Sequence, residues 1–175
     1  MNRRAKVFQT LQQLGVPYTV YEHPAAATVE VARRYWDAIP EPAQHCKNLF
    51  FRNHKGNRHY LVILDCRKTL SVHALEQRLK QGKLSFASAE RMQKYLGTTP
   101  GSVSLFGLVN DAAHHVHVFI DADLQQAGKV SFHPNDNTAS VILAFADAMR
   151  FLRHCGNPFE WFPPDDGEPS PSAGA

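Results

Sequence analysis

Three cysteines are all that the 175 residues contain, and Cys46, Cys66 and Cys155 lie too far apart for any CxxC pair. That spacing supports neither a zinc knuckle nor a disulfide framework, and it fits the reduced thiols of a cytoplasmic protein. No apolar run approaches the roughly 18 residues that read as a membrane span. The N-terminal Met1-Asn2-Arg3-Arg4-Ala5-Lys6 leads into an amphipathic segment and not a signal-peptide core, so neither secretion nor a membrane partner is expected. Also missing are GxxxxGK[ST], a GxGxxG after a strand, a GxSxG elbow and HExxH, which leaves nucleotide-driven, serine-elbow and zincin chemistry without support. Neither charge sign dominates. With 19 Lys and Arg against 16 Asp and Glu, the net charge of +3 is compatible with a polyanionic partner without requiring one.

What is present is enough for one domain with a real core, since 43% of the residues are hydrophobic. Val7, Leu11 and Leu14 fall at helical spacing before Gly15 and Pro17, predicting a first helix, and Tyr18 to Tyr21 reads as a short strand. Thr28 is an N-cap for a second helix carrying Val29, Ala32, Trp36 and Ile39 on one side and stopping before Pro40. Lys47 to Arg52 and His59 to Leu64, joined by Asn53-His54-Lys55-Gly56-Asn57, read as a β-hairpin. The uninterrupted Tyr60-Leu61-Val62-Ile63-Leu64 should be a central strand covered on both faces. Helices are predicted from Ser71 to Lys80, from Ser88 to Gly97 and from Phe145 to His154, with strands at Lys83 to Phe86, Val116 to Ile120, Lys129 to His133 and Thr138 to Leu143. The expectation is a single α+β domain over residues 1–156, a mixed and mostly antiparallel sheet with helices packed around it. Residues 157–175 are rich in Pro, Asp, Gly and Ser and read as a C-terminal tail, disordered over about its last dozen residues.

Several side chains invite chemistry. Lys47 stands in the strand-like stretch His45-Cys46-Lys47-Asn48-Leu49-Phe50-Phe51-Arg52, where a desolvated ammonium is costly unless a negative group or a polarised carbonyl meets it. The alternative is that its stem lies along the strand and its head reaches water. Cys46 adjoins His45, but neighbours on a strand point to opposite faces, so the two make no dyad and Cys46 reads as a buried structural thiol. His115 and His117 should share a strand face near His114 or His133, yet a third metal ligand has to be guessed, so no metal and no cofactor are expected. Ser102 to Leu108, with its glycines and small residues, reads as a backbone-defined loop or pocket wall. His133 sits at a strand end before a proline turn, a place where binding groups are presented, although it could equally only anchor the turn.

Taken in order, His45-Cys46-Lys47-Asn48-Leu49-Phe50-Phe51-Arg52, Tyr60-Leu61-Val62, Leu84-Ser85-Phe86-Ala87-Ser88, Leu96-Gly97-Thr98-Thr99-Pro100-Gly101-Ser102-Val103-Ser104, Phe106-Gly107-Leu108-Val109-Asn110-Asp111 and Phe132-His133-Pro134 with Asn137-Thr138-Ala139-Ser140 resemble the free-standing prolyl-tRNA editing proteins. These form a superfamily with the insertion domain of bacterial prolyl-tRNA synthetase and with YbaK, and the resemblance runs from about Val7 to Gly156. It implies the YbaK-like fold and trans-editing: hydrolysis of the ester joining a wrong amino acid, alanine above all, to the terminal adenosine of tRNA for proline. The implied partner is the 3′ acceptor end of that tRNA, with prolyl-tRNA synthetase or the translation machinery as a further partner. Lys47 matches the family's essential lysine and would hold the phosphate or ester region, with His133 as its catalytic companion. Asn48, Gly101, Ser102, Val103, Leu105, Phe106 and Asn137 match positions lining the substrate pocket.

One departure stands out. The family loop is GxxxP, and here Gly101-Ser102-Val103-Ser104-Leu105 ends in leucine, which bears on pocket width and amino-acid specificity. An aminoacyl ester is already activated, so a site need only bind the 3′ end, orient a water and stabilise an oxyanion; the missing triad and metal cluster agree with that chemistry. Two alternatives stay open: a deacylase for cysteinyl-tRNA or another small aminoacyl-tRNA, and a non-catalytic tRNA-binding module.

Overall fold

The chain is described by a computed structural model over residues 2–164. Its strands order themselves as β1 (Tyr18–Glu22), β7 (Ala139–Ala144), β6 (Lys129–Phe132), β2 (Gln44–Arg52), β3 (His59–Asp65), β5 (Val116–Asp121) and β8 (Phe159–Phe162), with the two-residue β4 (Ser85–Phe86) attached to β2. Pairings β1–β7, β6–β7, β2–β3 and β2–β4 are antiparallel, while β2–β6, β3–β5 and β5–β8 are parallel. This is the expected α+β domain with a mixed sheet.

Local chemistry accounts for the helices. Side chains of Thr28, Ser71 and Ser88 accept N–H bonds at the starts of α2 (Val29–Trp36), α3 (Val72–Leu79) and α4 (Ala89–Leu96), satisfying groups that would otherwise be orphaned. Helix α1 (Arg3–Gln13) and α5 (Phe145–Cys155) bury Val7 and Leu11, and Phe151 and Leu152, against one sheet face; a 3₁₀ turn (Leu105–Asn110) sits among them. The opposite face is covered by α3, where Leu75 packs on Phe51, Val62, Leu64 and Phe119. Every residue of β3 is buried, as expected of a central strand.

Two expectations are corrected, the domain boundary and the shared face of His115 and His117. The folded domain does not end at 156, because Phe159–Phe162 joins the sheet parallel to β5, with Phe162 buried against Phe119. Phe162 therefore belongs to the core, with Phe159 and Trp161 packed partly buried against it, and these residues are not a tail; the end of that predicted tail lies outside the described residues. Strands β5 and β6, consecutive in sequence, are not neighbours: each runs beside the β2–β3 hairpin on its own side. His115 and His117 also part company. His117 stacks on Phe119 toward the α3 side, whereas His115 hydrogen-bonds His59 and stacks on Tyr95 toward α4, because the chain bends just before β5 begins.

Candidate active site

Strand β2 is the element that creates the site. On one edge it pairs with β3 from Cys46 to Arg52. Its other edge is shared: β6 covers only Gln44 and His45, and β4 covers only Phe51 and Arg52. Residues 46–49 between them have no strand on that side. Peptide groups alternate across a strand. The His45 carbonyl accepts from Cys66 N–H on the β3 side and the Phe50 carbonyl accepts from Ala87 N–H on the β4 side, so the N–H and C=O of Asn48 point into the gap.

A cavity of about 240 Å³ opens there, lined by Cys46, Lys47, Asn48, Leu49 and Phe50 of β2 together with Gly101, Val103 and His133. Because it lies at a strand edge, side chains from both faces of β2 reach it. Lys47 is half-buried, and among the described residues no carboxylate or hydrogen-bond acceptor engages its ammonium. Burial, with Arg33 nearby, lowers its pKa from the ordinary lysine value. Asn48 is oriented by its neighbour: the Leu105 N–H donates to Asn48 Oδ1 at 3.1 Å. The carboxamide oxygen is thereby used, which leaves the Nδ2 donors free.

His133 follows β6 and also lines the cavity. Its Nδ1 lies 2.8 Å from the Ala139 carbonyl, which can only accept, so Nδ1 carries the proton and Nε2 bears the lone pair. Burial lowers its pKa, keeping the ring neutral near pH 7. Beneath it runs a second fixed chain, in which Trp36 Nε1–H donates to Ser140 Oγ and that hydroxyl lies 3.0 Å from His23 Nε2. The thiol of Cys46 is buried, with its pKa driven up by desolvation, so it is protonated and a poor nucleophile.

The structure thus brings Lys47, Asn48, Gly101, Val103 and His133 onto one cavity. The other expected residues stand behind it. Ser102 is buried, with its N–H on the Thr99 carbonyl. Leu105 and Phe106 are core side chains, Phe106 packing edge-on against Phe132 and Phe151. Asn137 holds the Ala26 N–H through its carbonyl and so positions the loop that forms the opposite wall. That wall, Ala26, Ala27, Thr28, Val29, Ala32 and Trp36, was not legible in the sequence, and neither were Phe86 and Met92. The three consecutive alanines before the Thr28 cap were the available signal: small residues let two loops touch. Gly101 completes the contact, with φ of +83° and so little room that a Cβ would lie 3.0 Å from the Ala27 Cα. Among the described residues no group of three or more metal-type ligands is gathered, and no helix is long and apolar enough to cross a membrane.

Comparison with known proteins places the chain in a family. Residues 23–151 match the model of the aminoacyl-tRNA editing domain. Prolyl-tRNA editing protein ProX of Acetoanaerobium sticklandii is 38% identical over 160 residues, covering 91% of this chain and 96% of that one. Prolyl-tRNA synthetase associated domain-containing protein 1 of Bos taurus is 28% identical over 88% of this chain and 91% of its own length. A crystal structure of a candidate trans-editing enzyme for prolyl tRNA synthetase shares the fold, with a TM-score of 0.70 at 22% identity over 95% of this chain and 99% of that one. With the family model spanning most of the domain and a relative of this identity matched nearly end to end, the chain belongs to the aminoacyl-tRNA editing domain family.

Proposed function

We propose that the protein is a trans-acting deacylase that hydrolyses mischarged tRNA for proline, with alanyl-tRNA as its principal substrate, and that it works in the cytoplasm, where tRNA is charged. The observation that carries this reading is the partnerless, half-buried ammonium of Lys47 at the open edge of β2, facing a cavity that also holds Asn48 and His133. Burial weakens the hydration of this ammonium, and the Glu30 and Asp65 carboxylates act on it only at a distance, so a phosphate or an ester oxygen that reaches the cavity gains a direct cationic partner.

In the proposed reaction a water oxygen attacks the ester carbonyl carbon, with the lone pair of His133 Nε2 orienting that water. Negative charge builds on the carbonyl oxygen, where the Lys47 ammonium, Asn48 Nδ2–H and the Asn48 backbone N–H are the available donors. The tetrahedral species collapses by breaking the bond between the carbonyl carbon and the ribose oxygen, which takes up the proton that the attacking water gives up to His133 Nε2, releasing the free amino acid and the tRNA. All of these donors are in place before substrate arrives, and none is a nucleophile or a metal.

The small wall residues support the choice of alanine. Ala26, Ala27, Ala32 and Val103 line the cavity with small side chains beside Trp36. A synthetase pocket built for proline rejects a smaller side chain by only about 1–3 kcal/mol, and a second site admitting only small residues removes the error. The partner is the acceptor end of tRNA, with prolyl-tRNA synthetase supplying the mischarged product. The test is hydrolysis of labelled alanyl-, cysteinyl- and seryl-tRNA for proline by the purified protein. Alanyl-tRNA should turn over fastest; rates no greater than spontaneous hydrolysis with every substrate would overturn the reading, and faster turnover of cysteinyl-tRNA would reassign its specificity.

A further inference from the structure

Phe86 is the one large hydrophobic side chain left exposed among the described residues, at 65% exposure. It does not stand on a loose loop. Leu84 and Ala87 on either side are buried, Phe86 pairs with Phe51 across the β2–β4 ladder, and Ala87 N–H bonds the Phe50 carbonyl at 2.8 Å. The Phe86 ring stacks on Phe51 at 4.7 Å between centroids and 24° between planes, and Phe51 is itself buried. A rigidly held aromatic ring, backed by a second ring and otherwise open to solvent, therefore forms part of the rim of the cavity that holds Lys47 and His133.

From these facts we infer that Phe86 is a stacking platform for the terminal nucleobase of an RNA 3′ end, an inference that rests on the proposed function above. The geometry selects a base over the amino-acid side chain. Gly101 and Ala27 meet at one wall of the cavity, whereas Phe86 belongs to the edge formed by β4. Lys47 and Phe51 lie on the same face of β2 four residues apart, a separation of about 13 Å along a strand. A nucleotide carrying an esterified amino acid is long enough to place its ester by Lys47 and its base over Phe86. Stacking needs a planar π-face and no particular hydrogen-bond pattern, which a phenylalanine supplies and an aliphatic residue does not.

Two measurements test it. In steady-state deacylation of alanyl-tRNA for proline, Phe86→Ala should raise KM about tenfold and leave kcat within about twofold, Phe86→Leu should recover little of the loss, and Phe86→Tyr most of it. Separately, Phe86→Trp should be quenched by a CCA-ended oligonucleotide, read as the difference from the wild-type signal of Trp36 and Trp161, and not by the same oligonucleotide with an abasic 3′ nucleotide. An unchanged KM in Phe86→Ala, or equal quenching by the abasic form, would overturn the inference. The two readings fail separately: base-dependent quenching without deacylation by the wild type removes the catalytic reading and keeps the platform, and deacylation indifferent to Phe86 does the reverse.

Discussion

His59, at the start of β3, and Lys47, in the middle of β2, are both basic groups drawn out of water, and their surroundings differ in one respect. His59 is completely partnered. Arg91 lies 2.8 Å from its Nε2 and can only donate, so Nδ1 carries the proton toward His115 Nε2, also at 2.8 Å, and Tyr95 covers the pair. Lys47 has no such partner among the described residues. A cluster whose members satisfy one another marks structure, whereas a half-buried cation that opens onto a cavity and has no direct acceptor marks a place for a ligand.

Breaking each side of this contrast should give opposite results. Lys47→Ala is expected to lower kcat/KM by about 10²–10³-fold, the usual effect of removing one oxyanion donor, while Lys47→Met raises the melting temperature by a few degrees, since partial burial strips the ammonium of some of its hydration. Loss of folding in both variants would make Lys47 a structural residue. His59→Ala should do the reverse. It leaves His115 without its donor, leaves Arg91 only the Gly56 carbonyl and opens a cavity, for a loss of about 2–4 kcal/mol in urea unfolding, with kcat/KM of the folded protein within about twofold of wild type.

Acid sharpens the same comparison. Burial, with His115 and Arg91 adding to it, pushes the His59 pKa down to about 4. In the unfolded chain the ring protonates near 6.5, so its contribution to stability is complete above that pH and is lost as pH falls toward 4, on the order of 3 kcal/mol in all. His45, also at about 4 through burial, adds in the same direction. Unfolding midpoints in urea should therefore fall between pH 6.5 and 4, and His59→Leu should flatten part of that fall; an equally steep decline in His59→Leu would remove His59 from the account. The smallest effect is expected at Leu105. Leu105→Pro deletes the N–H that holds Asn48 Oδ1, at the first position of a helical turn where proline is tolerated. It should cost about fivefold in kcat with KM little changed, and nothing further in an Asn48→Ala background.

How far the sequence could be read follows the range of the interactions. The caps at Thr28, Ser71 and Ser88, the apolar run of β3 and the β2–β3 hairpin depend on residues close together, and each was legible. The parallel pairings β2–β6 and β3–β5 join distant segments, and β8 lies beyond a glycine and a proline that read as the end of the domain. Within the site, Lys47 drew attention because its chemistry conflicts with its strand, and His133 because it ends one. Trp36 and Ala32 did not, since a residue on the apolar side of a helix looks the same whether it meets a core or a cavity. Leu105 was expected to shape the pocket wall with its side chain. Instead that side chain is buried in the core and its backbone N–H reaches the site, a contact that proline at this position could not make.

The gap in the sheet also bears on whether the strand edge can pair with a second chain. An unpaired strand edge normally invites a second chain to pair with it, and proteins blunt such edges with charge, with twist or by keeping them short. Here the edge runs over residues 46–49 alone, closed at one end by β6 and at the other by β4, and it carries a lysine. A foreign strand finds too few peptide groups to form a ladder, while a small ligand finds enough to be held. The slot can therefore offer main-chain hydrogen bonds to a substrate in every molecule without becoming a template for aggregation.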